Sequence, residues 1–106
     1  MTPNQVDVLC IQGTRHEETR AHTESVVGWA ARGQVRSPDG TVIGDLEVSV
    51  GIGSDTEVAW GFPAGVTAAV VQGTPCLYDV KIIPPGGEPL GFVFGKLSVV
   101  NAQTSV

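Results

Sequence analysis

Basic side chains are scarce in this sequence. Its 106 residues include six Lys and Arg against eleven Asp and Glu, which gives a net charge of −5, and residues 37–80 contain neither Lys nor Arg. Binding to nucleic acid depends on basic side chains that neutralise phosphates. The composition therefore argues against nucleic acid as a partner. The acidic residues in the stretch without cations are better explained as a hydrated strand edge that resists aggregation.

A leader and long apolar runs are also missing. The first seven residues, MTPNQVD, lack the basic and then apolar segment of a signal peptide, and no apolar stretch approaches membrane-spanning length. We therefore expect a protein that is made in a cytoplasm and has no membrane partner. In that compartment Cys10 and Cys76 are expected to be buried thiols, with a disulfide as the alternative.

Motifs for catalysis or metal binding are missing as well. His16 and His22 are six residues apart, whereas the helical zinc-protease motif places two histidines four apart with Glu after the first. On a strand they share a face, but a rise of about 3.3 Å per residue keeps them too far apart to bind one ion. No serine lies in a GxSxG motif or beside a histidine. We predict no catalytic, cofactor-binding or metal-binding residues, no cofactor and no enzymatic activity.

Glycine, proline and β-branched residues are plentiful instead. The chain has 14 Gly and 7 Pro with many Val and Thr, and it has no long run of Ala, Leu, Glu and Lys. Such a composition favours short strands over helices. With 106 residues, of which 42% are hydrophobic, the chain can close one core. We predict a single all-β domain over residues 1–106, in which residues 1–4 and 101–106 are extended tails.

The segment CLYDVKIIPPGGEPLGFVFGKLSVV at residues 76–100 predicts a β-hairpin around which the rest of the chain is organised. Its first arm alternates between two faces, one of which carries Cys76 and Tyr78. The sequence Pro-Pro-Gly-Gly at residues 84–87 then predicts a turn, because Pro cannot donate to a ladder and Gly accepts positive φ. We expect Tyr78 in the core, with its hydroxyl bonded to a backbone group at the sheet edge.

The returning strand, residues 90–100, admits two interpretations. Strict alternation puts Val93, Leu97 and Val99 on the core face and leaves an apolar patch on the outer face, which small monomers seldom leave bare. This candidate interface consists of Leu77, Ile83, Phe92 and Phe94. In the alternative, Gly95 marks a bulge that switches the phase and turns both Phe side chains inward.

Other segments predict further strands and turns. Residues 29–36 and 45–50 alternate on either side of Ser-Pro-Asp-Gly, which suits a type I turn, and so predict a second hairpin. Cross-strand ion pairs are expected between its arms, involving Arg32, Arg36, Asp45 and Glu47. Single strands are predicted for residues 5–11 and 58–62, and a turn or so of helix within residues 64–73. The polar residues 14–25 are compatible with a strand, a loop or a short helix.

The order of these motifs is itself informative. Gly-Trp precedes an Arg-bearing strand and an Asp-Gly turn, a short apolar strand then ends in Pro and an Ala/Thr-rich turn, and a Tyr-Asp strand is followed by a Gly-rich turn and a strand that passes through Gly. The key residues are Gly28, Trp29, Arg36, Asp39, Gly40, Tyr78, Asp79, Gly86, Gly87 and Gly95. This layout, over residues 26–100, resembles small immunoglobulin-like virion proteins of tailed bacteriophages and is similar to the N-terminal module of siphophage upper baseplate proteins. Where the family tends to have a glycine-rich linker and aromatic residues before Gly-Trp, this chain has TRHEETRAHTES, which leaves the pairing of its first strand open.

The resemblance implies an immunoglobulin-like antiparallel β-sandwich of about seven short strands, a count that the spacing of the turns also favours. It further implies a structural part of a virion, made in the host bacterial cytoplasm. Such a part docks by a sheet face or edge onto capsid or tail proteins, in many copies within a symmetric assembly. The alternative hypothesis is a stand-alone module that binds carbohydrate or another ligand by stacking on Trp29 and Trp60. Both tryptophans, however, lie on apolar strand faces, where a core role is more common.

Overall fold

A computed structural model describes residues 4–101; residues 1–3 and 102–106, which hold most of the two predicted tails, lie outside the described residues. The described residues form nine strands and one short helix. These are β1 Asn4–Gln5, β2 Val8–Ile11, β3 His16–Ala21, β4 Ala30–Arg36, β5 Val42–Asp45, β6 Glu47–Val50, β7 Glu57–Phe62, α1 Ala64–Ala69, β8 Cys76–Ile83 and β9 Leu90–Val100. The helix lies within the segment for which a turn of helix was predicted, and the polar stretch contains a strand.

The strands form two sheets that pack together as an all-β sandwich, which confirms the predicted fold class. The larger sheet has the order β1-β9-β8-β4-β5, with β2 also paired to β9, and the smaller has the order β3-β7-β6. In immunoglobulin lettering these sheets are G-F-C-C′ and B-E-D, with the first strand added beside G. The nine strands make eight continuous stretches, close to the predicted number of about seven, because β1 and β2 are two pieces of one strand that both pair with β9.

The first strand is broken into β1 and β2, and both pieces run parallel to β9, which departs from a wholly antiparallel sandwich. The break at Val6 and Asp7 fits over Gly95 of β9, where an added Cβ would overlap the Val6 carbonyl. The Asp7 carboxylate accepts the Lys96 backbone N–H at 3.0 Å, and the Tyr78 hydroxyl donates to the Val6 carbonyl. Because Gly95 has no Cβ, the first strand can pack closely against β9 at the edge of the sheet.

The predicted hairpin of β8 and β9 is present, and its turn is closed by the Gly87 N–H, which donates to the Pro84 carbonyl at 2.9 Å. Tyr78 in the first arm is 3% exposed. Together with its hydrogen bond to the Val6 carbonyl, this burial confirms the prediction that Tyr78 is a core residue with a backbone partner. The hydroxyl thus ties the middle of the hairpin to the first strand.

A bulge in β9 decides the orientation of its aromatic side chains, and it does not lie at the predicted glycine. Val80 lies opposite Val93. The next residue of β8, Lys81, lies opposite Gly91, so Phe92 has no residue opposite it. The extra residue lets two successive side chains, Phe92 and Val93, both point into the core.

The second predicted hairpin is shorter than expected. β4 and β5 pair around the turn at residues 37–40, but the chain leaves this sheet at Leu46, and β6 joins the smaller sheet. The predicted ion pairs between the arms are therefore wrong. Asp45 lies opposite neither arginine of β4, and Glu47 binds Arg15 of the smaller sheet at 3.0 Å.

One apolar core fills the space between the two sheets, and both sheets contribute to it. Its largest side chains with almost no exposure are Trp60, Phe62, Ile82, Leu97, Val26, Val35, Val58, Val70, Val80 and Val93. The smaller sheet supplies the two aromatics of this set, Trp60 and Phe62, whose rings pack edge to face against Phe92 and Tyr78 of the larger sheet. The outer faces of the two sheets are therefore the main surfaces left for partners.

Cys10 and Cys76 are free buried thiols, as the preferred interpretation predicted. They lie on the strands that flank β9, opposite Val99 and Leu97 respectively. Each strand spacing is about 4.8 Å, so the two cysteines are roughly 10 Å apart across β9. This distance exceeds the Cα separation that a disulfide spans. Burial raises the pKa of both thiols, so they remain protonated and unreactive near neutral pH.

Candidate docking surface

The four residues of the predicted interface do not lie together. Phe92 is 2% exposed and packs edge to face against Trp60, with ring centroids 6.3 Å apart. Phe94 is 43% exposed and points away from the core. The two interpretations of β9 were therefore each right about one side chain, and Phe92 does not belong to an exposed surface.

Ile83 is also separated from the rest of the predicted interface. It is the last residue of β8, lies opposite Ala30 and is partly buried. Leu77 lies six residues earlier on the same face, roughly 20 Å away at the usual rise of a strand. The predicted patch therefore reduces to Leu77 and Phe94, which lie on neighbouring strands.

Leu77 and Phe94 border a shallow hollow on the outer face of the larger sheet. Leu77, which is 52% exposed, lies opposite Lys96, and Phe94 is two residues from Lys96 on the same face. Such diagonal neighbours come within reach of aromatic side chains. The hollow has a volume of about 290 Å³ and is lined by Gln5, Leu77, Tyr78, Phe94, Gly95 and Lys96.

Exposed apolar side chains continue from this hollow along the edge of the sheet. Ile11 of β2 lies opposite Val100 of β9, and Leu9 lies opposite Ser98, so all of them share the outer face. We call the exposed apolar residues of these strands the outer strip, which consists of Leu9, Ile11, Leu77, Phe94 and Val100. The first strand, whose pairing the sequence left open, supplies two of its members.

Cations occupy the same outer face. Four of the six Lys and Arg residues of the chain lie there, namely Arg32, Arg36, Lys81 and Lys96. Carboxylates on this face are fewer, namely Asp7, Asp45 and Asp79. A polar hollow of about 260 Å³ lies among the cations of β4 and β8, and it is lined by Arg32, Gly33, Gln34, Arg36, Asp79 and Lys81. The face therefore carries more positive than negative side chains on a chain whose net charge is −5.

The outer face of the smaller sheet is different, because its basic and acidic side chains are paired with one another. Arg15 lies over Gly61 of β7, where an added Cβ would meet its guanidinium. From that position it binds Glu17 of β3 at 2.7 Å and Glu47 of β6 at 3.0 Å, which links all three strands. None of the exposed large apolar side chains among the described residues lies on these outer positions. This face has the character of a hydrated surface.

Neither histidine forms part of a metal site in the described chain. The His16 Nε2 lies 2.6 Å from the Glu18 carboxylate, and His22 packs edge to face on Trp29 and Phe92, with ring centroids 5.5 and 5.9 Å away. Across residues 4–101, no group of three or more His, Cys, Asp or Glu side chains is arranged to hold a metal ion. Both imidazoles thus have structural contacts within the sandwich.

The two tryptophans differ in exposure. Trp60 is 1% exposed, whereas Trp29 is partly exposed beside His22. The Trp60 Nε1–H has no hydrogen-bond partner among the described residues. Trp60 therefore cannot stack on a ligand without unfolding the core.

The grouping of cations on the outer face of the larger sheet has a partial signal in the sequence, which the prediction did not use. Arg32 and Arg36 are even-numbered positions of β4, and Lys81 follows Leu77 by four residues in β8, so period-two alternation puts each set on one face. The alternation does not show the register that brings these two strands together.

Among the described residues, no helix is long and apolar enough to cross a membrane.

Comparison with other proteins adds no family to this description. The chain matches no protein-family model and shows no match among curated proteins.

Proposed function

We propose that this protein is a non-enzymatic structural component of a tailed bacteriophage virion, which docks through the outer face of its larger sheet onto other virion proteins. The observation that carries the docking role is the outer strip, five exposed apolar side chains that share one sheet face. The resemblance of the motif order to phage immunoglobulin-like modules supports the virion setting. Capsid decoration and tail or baseplate attachment are both compatible with this role.

The energetics suit a module that is bound in many copies. Fully burying a large apolar side chain stabilises by roughly 1.5–3 kcal/mol, so covering half-exposed side chains such as Leu77 and Phe94 contributes roughly 1 kcal/mol each. The whole outer strip then offers several kcal/mol before the costs of association. Modest binding of this kind becomes effective when many copies bind one symmetric assembly.

A stand-alone module that binds carbohydrate has less support. That hypothesis needed two exposed tryptophans, and Trp60 is buried in the core. Trp29 is the one partly exposed indole, and its ring already packs against His22. Neither nucleic acid nor a membrane is part of the proposed function.

Particle composition tests the proposal. Mass spectrometry of purified phage particles from the virus that encodes this chain should find it as a stoichiometric component, in a copy number that fits the symmetry of the capsid or tail. The Leu77→Ser and Phe94→Ser double variant should fold in solution but be lost from particles. Ile52→Ser is the matched control, because Ile52 is 78% exposed in the loop between β6 and β7, away from the outer strip.

Three results would contradict the proposal. Purified particles that lack the protein would exclude the virion role. Equal incorporation of the double variant and the control would exclude docking through the outer strip. A chain that is a glycan-binding module instead would show binding to a glycan panel that disappears in Trp29→Ala and persists in the double variant.

A further inference from the structure

Charge and apolar surface meet in one row of side chains across the larger sheet. Arg36 of β4 and Lys96 of β9 lie opposite Leu77 of β8 from its two sides. Adjacent strands are about 4.8 Å apart, so two cations roughly 10 Å apart frame one exposed leucine. Phe94 and Leu77 border the same hollow, and this hollow has room for an additional apolar side chain.

These cations have few partners within the chain. Arg36 donates to the Gln34 side-chain carbonyl at 2.7 Å rather than to a carboxylate. Arg32 lies directly opposite Lys81, and like charges in that position destabilise a pair of strands. Across the described residues, the closest approach of a carboxylate to any of these cations is 3.9 Å, from Asp79 to Lys81. Within the described residues, Arg36 and Lys96 form no salt bridge with a carboxylate, so both can bind carboxylates from outside the chain.

We propose that the occupant of this face is an acidic segment of a partner protein, in which an apolar side chain enters the hollow beside Leu77 while flanking carboxylates bind Arg36 and Lys96. This inference rests on the proposed docking role of the same face and adds the chemistry of the partner. An extended segment places alternate side chains on one face roughly 6.6 Å apart. A segment with acidic, apolar and acidic residues at alternate positions therefore matches the row of Arg36, Leu77 and Lys96. The long Arg and Lys side chains can adjust to the spacing of its carboxylates.

The apolar centre distinguishes this partner from other anions. A nucleic acid or a free phosphate would use the cations and gain nothing from Leu77 and Phe94. A second copy of this chain docked by the same face would bring cations against cations. An acidic protein segment satisfies both the charged and the apolar side chains of the row.

Binding of short labelled peptides tests the inference directly. The probe is a fluorescein-labelled nonapeptide with the central sequence Glu-Ser-Leu-Ser-Glu, titrated with the full chain at low ionic strength and followed by fluorescence anisotropy. Replacing the central Leu by Ser should weaken binding about tenfold, which corresponds to the loss of one buried leucine. Replacing both Glu by Lys should abolish binding, and added salt should weaken the binding of the parent peptide.

Protein variants locate the site. Arg36→Gln and Lys96→Gln should each weaken binding of the parent peptide and reduce its salt dependence. Leu77→Ser should remove the preference for Leu over Ser while leaving the effect of salt. Arg20→Gln is the matched control, because Arg20 belongs to β3 of the smaller sheet and should leave binding unchanged.

Several outcomes would overturn the inference. These are the absence of peptide binding at low salt, equal binding of the Leu and Ser peptides, competition by inorganic phosphate or a single-stranded DNA decamer at the same charge concentration, and a dimer in analytical ultracentrifugation that Leu77→Ser dissociates. The docking role itself would survive such results if the protein were present in particles and lost with the outer-strip variant. Conversely, peptide binding by a chain that is absent from particles would uphold the partner chemistry alone.

Discussion

The bulge in β9 predicts that two aromatic side chains two residues apart contribute very differently to stability. Phe92 is enclosed by Trp60 and His22, whereas Phe94 lies on the outer face with 43% exposure. The perturbation is the same in both places, because Phe92→Ala and Phe94→Ala remove identical atoms from the same strand. The comparison therefore isolates the effect of orientation.

The magnitudes follow from burial. Removing a buried Phe side chain costs about 3–5 kcal/mol, because the transfer free energy is lost and a cavity remains next to Trp60. Domains of this size have about 5–15 kcal/mol of total stability, so Phe92→Ala removes a large part of it. At about 4 °C or more per kcal/mol, the melting temperature should fall by about 12 °C or more. Phe94→Ala should cost about 1 kcal/mol or less, since its side chain is already half hydrated.

Urea unfolding followed by tryptophan fluorescence measures both variants, because Trp60 lies in the core and reports on its exposure. The midpoint should fall strongly for Phe92→Ala and slightly for Phe94→Ala, with the same dependence on urea for both. Equal losses in the two variants, or a larger loss for Phe94→Ala, would refute the position of the bulge. Phe92→Leu is a useful second variant, because it should recover much of the stability without restoring the aromatic contacts.

Three further predictions follow from the closure of the first strand and from the turn at residues 37–40. Tyr78→Phe should cost about 1 kcal/mol in urea unfolding, because the Val6 carbonyl loses its hydroxyl donor, and Tyr78→Ala should cost about 3 kcal/mol or more; unchanged stability of the alanine variant would show that the hairpin is not a core element. Gly95→Ala should displace the first strand and speed amide exchange over residues 4–11, whereas Gly65→Ala, which adds a Cβ in open space within α1, should not; slow exchange in both would refute the close contact. Hydrogen bonds from the Ser37 hydroxyl and the Thr41 N–H lower the pKa of Asp39 to about 2 from its usual 3.8, so the stabilisation is complete above pH 4 and is lost as the pH falls towards 2. Asp39→Asn should accordingly flatten this acid limb of the stability curve, and an unchanged limb would contradict the assignment.

The all-β class and the closing hairpin could be predicted because their signals are local. Alternation over residues 76–83 defined β8, and the following Pro-Pro-Gly-Gly defined the turn. The bulge predicted at Gly95 lies at Phe92 instead, and Gly95 has a different role. It accommodates the Val6 carbonyl of a strand almost 90 residues away, and no local pattern carries that information.

Two wrong predictions, the extent of the second hairpin and the position of the bulge in β9, have a common cause. In each case the structure changes at a point where the alternation of apolar and polar residues gives no sign of it. Leu46, Val48 and Val50 continue the alternation of the second hairpin, although the chain changes hydrogen-bond partners between β5 and β6. Period two records which face is buried and does not record which sheet a strand joins. At Phe92 the bulge inserts one residue into an apolar stretch, where no polar side chain marks the change of phase.

The candidate surface was predicted in part for the same reason. Leu77 and Phe94 were found from alternation alone, whereas Leu9 and Ile11 were assigned to a strand whose neighbour was not identifiable from the sequence. The row of Arg36, Leu77 and Lys96 spans three strands and exists only once their registers are fixed. Surfaces of this kind depend on the pairing of strands that are distant in the sequence, and sequence periodicity does not reveal this pairing.

The parallel pairing of the first and last strands also has a mechanical consequence. Asn4 lies beside Val93 and Ile11 beside Val100, so the two strands run side by side in the same direction. A pull that draws Asn4 and Val100 apart would slide these strands past each other and load their ladder hydrogen bonds together, rather than opening them one at a time from an end. The contact over Gly95 lies within this ladder, between β1 and β2, and would resist the same sliding motion. Tension along these strands is therefore resisted by hydrogen bonds that must break together at the seam between the first and last strands.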